Sequence, residues 1–231
     1  LSFFYRQLAR VVKPGRAIMV HVAQIPRMKR SGEVGLHDFR GLNIRIGERA
    51  GLVFEYDWCV SKNPQSQAIR TKSRELQFAG LERDRVRSRG SLPDYLIKFR
   101  VPGENAVMVD SDCQVSRNDW IDWAEACWTW REIRETDTLN VRAGRGEEDT
   151  KHICPLQLSV INRLIRLYTN PDEIVFSPFA GIGSEGFEAL KLGRRFYGCE
   201  IKDEYIAAAR NNLKTAMLIE QDSRRTLFDM V

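Results

Sequence analysis

The alternation of apolar and polar positions is clearest in the last third of the chain, where it predicts strands and helices in turn. Residues 160–168 carry apolar side chains at the spacing of one helical face, and the Asn-Pro-Asp run at 170–172 ends that helix. The predicted elements that follow are a strand over 173–176, a tight loop over 177–183, a helix over 184–192, a strand over 195–200 and a helix from Asp203.

This order of elements predicts a βαβα unit, because strand, helix, strand and helix follow one another within about 45 residues. Such a connection requires a parallel pair of strands joined by a right-handed crossover. We therefore predict an α/β fold, a Rossmann-like, mostly parallel twisted sheet flanked by helices.

The first two thirds of the chain follow a less regular pattern. A helix runs to about Lys13, another covers 39–50, and strands are predicted over 17–22, 52–60 and 94–99. Periodicity then fades between 104 and 150, a stretch that holds four of the five tryptophans. The pattern predicts a single domain over 1–231 with an irregular Trp-rich insertion at 104–150.

Composition narrows the class of protein. The 231 residues are 43% apolar, which is enough for a substantial buried core, and the longest apolar runs fall far short of a membrane-spanning helix. Five cysteines are scattered without CxxC spacing, which disfavours a disulfide framework and a thiolate metal site. We expect a cytoplasmic protein with no membrane partner and no metal.

Positive charge is concentrated in one segment although the net charge of +5 is mild. The segment from Arg70 to Arg100 contains nine Lys and Arg residues and four acidic residues. Such a segment suits a polyphosphate partner, and a solvated helix face explains it equally well.

The loop at 177–183 is the strongest candidate site, because it lies between a strand and a helix, where parallel sheets bind ligands. Gly181 and Gly183 allow a sharp turn and a close approach of the backbone to a ligand, so a bulky residue at Gly183 should block binding while sparing the fold. Glu200, 17 residues beyond Gly183, stands where a carboxylate can accept ribose hydroxyls. A nucleoside cofactor is implied, and a plain strand-to-helix turn is the alternative.

These residues also carry a resemblance to a known family. Ser-Pro-Phe-Ala-Gly-Ile-Gly-Ser at 177–184, with Gly-Arg-Arg-Phe-Tyr-Gly-Cys-Glu at 193–200, resembles the β-group amino DNA methyltransferases. Ser177 stands where that family usually has Asp, so only a hydroxyl is offered to the cofactor at this position. Lys-His-Ile-Cys-Pro-Leu-Gln-Leu at 151–158 is similar to the family segment that borders the methionine moiety, and the stretches at 11–16, 58–64 and 95–99 also fit.

The resemblance implies an S-adenosylmethionine-dependent methyltransferase fold, S-adenosylmethionine as cofactor and double-stranded DNA as partner. The 104–150 insertion falls where the family has its target-recognition region. The cofactor-binding candidates are Lys151, His152, Ser177, Phe179, Ala180, Gly181, Gly183, Ser184 and Glu200. The DNA-binding candidates are Arg70, Lys72, Arg74, Arg83, Arg85, Arg87, Arg89, Trp120 and Trp123, and a core position is the alternative for each tryptophan.

One family feature is missing from the sequence. Amino methyltransferases carry an Asp/Asn/Ser-Pro-Pro-aromatic tetrapeptide that polarises the amine and stacks on the extruded base, and the 231 residues contain no such run. In the β-group order it would precede Leu1, so we expect a fragment that is inactive alone and assign no catalytic residue. The complete protein would methylate N6 of adenine or N4 of cytosine.

Two other functions stay open at this stage. A nucleotide-dependent oxidoreductase could use Gly181 to Gly186, which formally match G-x-G-x-x-G, although the preceding Pro-Phe is unusual for that class. A DNA-binding module of the same fold without catalysis is the second alternative. Methylation of RNA or protein, a homodimer and fusion to another domain of a longer protein also stay open.

Overall fold

The computed structural model describes residues 1–27, 32, 34–72, 76, 80, 82, 84–109, 115–140 and 156–228. The chain divides into two compact units, each built from two stretches of sequence. The first unit comprises Leu1–Met108 and Ile121–Glu132, and the second comprises Val109–Trp120 and Ile133–Val231. Each unit is described in turn.

The first unit contains a sheet and a separate two-stranded ribbon. In chain order its described strands are β1 (Ala17–Ala23), β2 (Ile25–Arg27), β3 (Gly35–His37), β4 (Val53–Val60), β5 (Asp94–Arg100) and β6 (Cys127–Trp128). The sheet has the strand order β1-β5-β4-β6. The ribbon pairs β2 with β3 in antiparallel fashion, inside the polar stretch that follows β1.

The prediction of a mostly parallel sheet is wrong for this unit, because the sheet is mixed. Strand β5 lies between β1 and β4 and runs antiparallel to both, and only β6 adds to β4 in parallel. Buried side chains alternate poorly along β5, as expected for a strand covered on both faces. Such a pattern carries no information about strand direction, which is why the sequence misled us here.

Within the described residues, four helices accompany this sheet, and the sequence explains where two of them begin. The Asp38 side chain accepts the N–H of Gly41 at the start of the second helix, and Asn63 caps the third in the same way, with Pro64 in the first turn. The helices are α1 (Ser2–Val11), α2 (Phe39–Arg49), α3 (Pro64–Thr71) and α4 (Arg117–Trp123), of which α4 begins in the second unit.

The core of the first unit lies between β1, β5 and the helices α1 and α2. One polar pair is buried within it, since the Tyr5 hydroxyl donates to Asn43 Oδ1 at 2.8 Å. Burial raises the pKa of Tyr5 to about 12. The apolar members of this core are Tyr5, Leu8, Ile18, Val22, Leu52, Ile97, Phe99 and Val101.

The second unit contains the βαβα arrangement that the periodicity predicts. Strand β7 pairs with β8 in parallel, with Ile174 opposite Arg195 and Ser177 opposite Gly198, so the predicted parallel pair is confirmed. The elements are α5 (Leu158–Tyr168), β7 (Ile174–Ser177), α6 (Ser184–Lys191), β8 (Arg195–Gly198) and α7 (Asp203–Phe228).

Helix α6 packs closely on its neighbours because Gly186 leaves room for them. A Cβ at this position would lie 2.6 Å from Leu213 of α7 and 2.6 Å from Phe196 of β8. Gly186 therefore serves helix packing, as the third glycine of a G-x-G-x-x-G loop does. On the other side of α6, the buried Glu188 carboxylate accepts Asn162 Nδ2 at 2.6 Å and Lys191 Nζ at 3.1 Å.

None of the helices in the described part of the chain combines the length and the apolar character that a membrane crossing requires.

Candidate functional site

The predicted cofactor loop connects β7 to α6 in the second unit and is hydrogen-bonded to the residue that follows β8. Ala180 N–H donates to the Cys199 carbonyl at 2.8 Å, and Cys199 N–H donates to the Ser177 carbonyl at 2.9 Å. These two bonds extend the parallel pairing beyond the last ladder residues. The loop is therefore held at the carboxyl ends of both strands, where the sequence predicted a ligand.

The two loop glycines adopt left-handed backbone angles, with φ of +53° at Gly181 and +84° at Gly183. A Cβ at Gly181 would meet no described residue within 4 Å, whereas one at Gly183 would lie 3.2 Å from Ala209 Cβ. The expectation that a bulky residue at Gly183 spares the fold is therefore wrong, because it would press on α7. Of these two positions, only Gly181 has its Cβ direction open for a ligand.

Glu200 is bound to the same loop, since its Oε2 accepts the Gly181 N–H at 2.9 Å. Its Oε1 accepts the N–H groups of Ile201 at 2.8 Å and Lys202 at 3.0 Å. A carboxylate offers about four lone-pair sites, so the described part of the chain uses three of them and leaves about one. Glu200 can thus accept roughly one further hydroxyl without losing its own contacts.

Two apolar side chains near this carboxylate are exposed to solvent. Phe179 in the loop is 73% exposed, and Ile201, directly after Glu200, is 96% exposed. Exposed apolar groups close in sequence to the hydrogen-bonded Gly181 and Glu200 suit a ligand with an apolar part and hydroxyl groups. Sequence reasoning found Phe179 but missed Ile201, although its position next to Glu200 was a usable signal.

Several other predicted residues lie inside the loop rather than at its surface. Ser177, Ala180 and Ser184 are buried, and they shape the turn. Asn212 of α7, which the sequence did not single out, donates from Nδ2 to the Ile182 carbonyl at 2.8 Å and so binds the loop to α7. The candidates Lys151 and His152 lie outside the described residues.

The basic segment presents several of its predicted cations to solvent. Arg70 and Lys72 at the end of α3 are exposed, as is Arg85 in a short 3-10 helix over Arg85–Arg87. Arg89 is half-buried, and its Nη1 donates to the Gly90 carbonyl at 3.0 Å. Arg74, Arg83 and the side chain of Arg87 lie outside the described part of the structure.

Two cations counted in that segment share one carboxylate within the sheet, which offsets one of their two charges. Lys98 Nζ lies 2.8 Å from Glu55 Oε2, and Arg100 Nε lies 2.6 Å from Glu55 Oε1. Burial alone would raise the pKa of Glu55, but the hydrogen bonds and charges of the two cations outweigh it and lower that pKa. The solvent-facing positive charge of the segment therefore lies before β5.

The tryptophans divide between core and surface. Trp128 is fully buried, and both its indole N–H and that of Trp58 donate to the Trp123 carbonyl, at 3.2 and 3.1 Å. Trp120 is 59% exposed, whereas Trp123 is half-buried. Trp120 has the larger exposed surface of the two DNA-binding candidates.

The structure also assembles a charged cluster that the sequence did not reveal. Asp94 Oδ2 lies 2.9 Å from His21 Nε2 and 2.5 Å from Lys62 Nζ, where β5 begins and β1 and β4 end. Burial alone would raise the pKa of Asp94, but His21 and Lys62 lower it on balance. Among the described residues, no three His, Cys, Asp or Glu side chains are grouped as metal ligands.

Solved structures of DNA methyltransferases share this mixed α/β fold. TTHA0409 from Thermus thermophilus, complexed with S-adenosyl-L-methionine, matches 94% of this chain and 76% of its own, with a TM-score of 0.69 and 16% identity. The cytosine-N4-specific PvuII DNA methyltransferase matches 94% of this chain and 73% of its own, with a TM-score of 0.63 and 17% identity. At these identities the likeness concerns the fold.

The family follows from the sequence match. Residues 3–211 fit the N6/N4 methyltransferase family model, described as DNA methylase, so the chain belongs to this DNA methylase family. The resemblance seen in the loop motifs is confirmed.

Curated relatives match over shorter stretches. The Type II methyltransferase M.BglII of Bacillus subtilis is 35% identical over 82 residues, which are 36% of this chain and 20% of that protein. M.BglI, also from Bacillus subtilis, is 28% identical over 123 residues, 53% of this chain and 31% of the relative. The DNA adenine methyltransferase YhdJ of Escherichia coli K12 is 40% identical over 70 residues, 30% of this chain and 24% of the relative. The chain thus matches less than a third of the length of each.

Proposed function

We propose that this chain binds S-adenosylmethionine and docks DNA in a methyltransferase that modifies the exocyclic amine of adenine (N6) or cytosine (N4). The observation that carries the proposal is the loop at 177–183, whose open Gly181 is held against the Glu200 carboxylate at the ends of two parallel strands. Membership of the DNA methylase family supports it.

The residues of the loop fit an adenosine-bearing cofactor. Glu200 keeps acceptor capacity for a ribose hydroxyl, and the space beside Gly181 lets the backbone approach the ligand. Phe179 and Ile201 offer apolar surface to a purine ring. We assign Ser177, Ala180, Gly183 and Ser184 to shaping this turn, and Lys151 and His152 to the methionine end, as the family pattern implies.

The proposed reaction divides the work between binding and chemistry. S-adenosylmethionine supplies the methyl group as an electrophile on its sulfonium. The residues of the loop and Glu200 would hold the bound cofactor and orient its methyl group toward the amine. The tetrapeptide that polarises the amine is not among the 231 residues, so this chain is assigned no catalytic residue.

DNA docking is assigned to the basic segment before β5 and to the exposed Trp120. We assign phosphate contacts to Arg70, Lys72, Arg85 and Arg89 of the first unit, since such contacts fix the register on DNA without reading its sequence. Arg74, Arg83, Arg87 and Trp123 complete the proposed set.

At the level of the whole protein, we propose one methyltransferase domain over 1–231 with target recognition in 104–150. A DNA substrate also argues for a cytoplasmic location. A homodimer or fusion to a further domain is compatible with this arrangement.

Isothermal titration with S-adenosylmethionine and with its demethylated product, S-adenosylhomocysteine, tests the proposal directly. We expect saturable binding of both at one site per chain and no binding of NAD under the same conditions. Binding of NAD with no response to either sulfur compound would favour the oxidoreductase and would contradict the assignment of the loop.

A DNA-binding module without catalysis is the second candidate, and the lack of a Pro-Pro-aromatic tetrapeptide among these residues favours it. The two candidates differ in cofactor binding. If the chain retards DNA in a gel in a salt-dependent manner but binds neither S-adenosylmethionine nor S-adenosylhomocysteine, it is the DNA-binding module. If it binds both DNA and the cofactor, it belongs to the enzyme.

A further inference from the structure

Two cysteines that are far apart in the sequence are neighbours in the first unit. Cys59 lies near the end of β4 and Cys127 begins β6, and the parallel register of these strands places the two residues opposite each other. Both are half-buried, and the Cys59 thiol is hydrogen-bonded to Cys127. The third described cysteine, Cys199, is exposed and belongs to the second unit.

The backbone separation of this pair is compatible with a covalent bond. Adjacent strands lie about 4.8 Å apart, and disulfides are found between Cα atoms about 4.4–6.8 Å apart. Residues opposite each other on neighbouring strands also point to the same face of a sheet. Strand β6 has only two residues and lies at the edge of the sheet, so it can adjust to the preferred disulfide torsion.

The surroundings distinguish the two thiols chemically. Burial, aided by the hydrogen bond to Cys127, raises the pKa of Cys59 to about 12. The two residues also differ in position, because Cys127 lies on the edge strand β6, whereas Cys59 lies on β4, between β5 and β6. The edge position favours Cys127 for the first attack on an external disulfide and leaves the second, intramolecular attack to Cys59.

We propose that Cys59 and Cys127 form a redox modification site, oxidised to an intramolecular disulfide by low-molecular-weight disulfides such as oxidised glutathione. In the first step, the Cys127 thiolate attacks one sulfur of oxidised glutathione, forms a mixed disulfide and releases one glutathione thiolate. In the second step, the Cys59 sulfur displaces the remaining glutathione from Cys127, and the Cys59 proton passes to the departing thiolate. Two protein thiols are oxidised and one oxidised glutathione is reduced to two glutathione molecules.

The bond would act on the tryptophan-rich part of the first unit. Cys127 directly precedes Trp128, whose ring lies 5.7 Å from that of Trp58. A disulfide between β4 and β6 would fasten this pair of strands and raise the thermal midpoint by a few degrees. Neither cysteine is among the residues assigned individually to the cofactor or to DNA, although Cys127 lies within the 104–150 segment assigned to target recognition. The bond itself depends only on the pairing of β4 with β6, so it can form whether or not the proposed function holds.

The test uses a chain in which Cys113, Cys154 and Cys199 are replaced by serine and only the pair remains. The folded protein is incubated with oxidised glutathione, alkylated, digested and analysed by mass spectrometry. We expect the peptides of Cys59 and Cys127 joined, with the loss of two hydrogen atoms and no retained glutathione. Cys59→Ser in the same background should accumulate the glutathione adduct on Cys127 at least about tenfold above the parent, because the fast intramolecular step is removed.

Three results would overturn the proposal. The first is a stable glutathione adduct on Cys127 in the parent chain, with no disulfide to Cys59. The second is a pair that stays fully reduced in the wild-type chain under conditions in which oxidised glutathione modifies Cys199. The third is a disulfide that forms in urea but not in the folded protein. Circular dichroism checks that each variant is folded, and peptide mapping of the wild-type chain replaces the serine background if that background unfolds.

Discussion

Glu200 offers the most direct test of the cofactor loop, because its carboxylate joins the loop to the two residues that precede α7. Replacing Glu200 with alanine removes the acceptor of three backbone N–H groups and the lone pair left for a ligand hydroxyl. A hydrogen bond to a charged group contributes about 1.5–3 kcal/mol. Glu200 is half-buried, so solvent screening places the expected loss at about 1–2 kcal/mol.

This loss corresponds to a rise in the dissociation constant of S-adenosylhomocysteine of roughly 5- to 30-fold, measured by isothermal titration. Glu204→Ala is the matched control, because it removes the same charge from an exposed position in the first turn of α7. The control should bind within about twofold of the wild-type chain, a change of less than about 0.5 kcal/mol.

Glu200→Gln separates ligand binding from loop order. Its amide keeps one acceptor oxygen but turns an NH₂ group toward either Gly181 or the N–H groups of Ile201 and Lys202, so affinity should fall between wild type and alanine. Equal affinity for wild type and Glu200→Ala, with both chains folded by circular dichroism, would remove Glu200 from the site. Equal losses in Glu200→Ala and Glu204→Ala would reduce its role to a general effect of charge.

Four further expectations follow from the contacts. Gly181→Ala should weaken cofactor binding while lowering stability by only about 1–2 kcal/mol, the cost of a left-handed backbone at a non-glycine residue; unchanged binding in titration would contradict it. Gly186→Ala should lower the free energy of unfolding in urea by about 1–3 kcal/mol through overpacking, and a more stable variant would show that the helix preference of alanine prevails. Because the pKa of Asp94 is lowered in the fold, its ionised form stabilises the protein above the ordinary pKa of 3.8, and this contribution is lost as the pH falls below that value. The thermal midpoints of wild type and Asp94→Asn should therefore converge toward pH 3. A constant difference between the two midpoints from pH 7 to 3 would speak against the cluster. Lys72→Ala and Arg85→Ala should each reduce the slope of log affinity for DNA against log salt by about 1, and an unchanged slope would place that side chain away from phosphates.

Local pattern was sufficient for the elements of the second unit. Each of these elements depends on residues close together in the sequence. The apolar positions of α5 repeat with the helical period of 3.6, and those of β7 and β8 with the strand period of 2, so both could be recognised directly. The loop glycines mark the turn between β7 and α6. The predicted bounds differ from those observed by a residue or two, as for β8, which was expected over 195–200 and ends at Gly198. The family resemblance depends on the same short motifs and was found for the same reason.

Local pattern misled where a side chain's direction depends on a distant element. Gly181 and Gly183 look equivalent in sequence, but Ala209 of α7 packs against Gly183, whereas no described residue lies where a Cβ of Gly181 would point. Likewise, the charge count of the basic segment included Lys98 and Arg100, which both pair with Glu55 of the neighbouring strand.

The sequence by itself determined the βαβα unit, the position of the loop and the carboxylate after β8, because each is fixed by residues within a few turns of chain. Only the tertiary structure decided the antiparallel direction of β5, the cluster around Asp94 and the meeting of Cys59 with Cys127. The physical reason is that periodicity reports which face of an element is buried, whereas strand order and direction depend on how sequence-distant elements pack together.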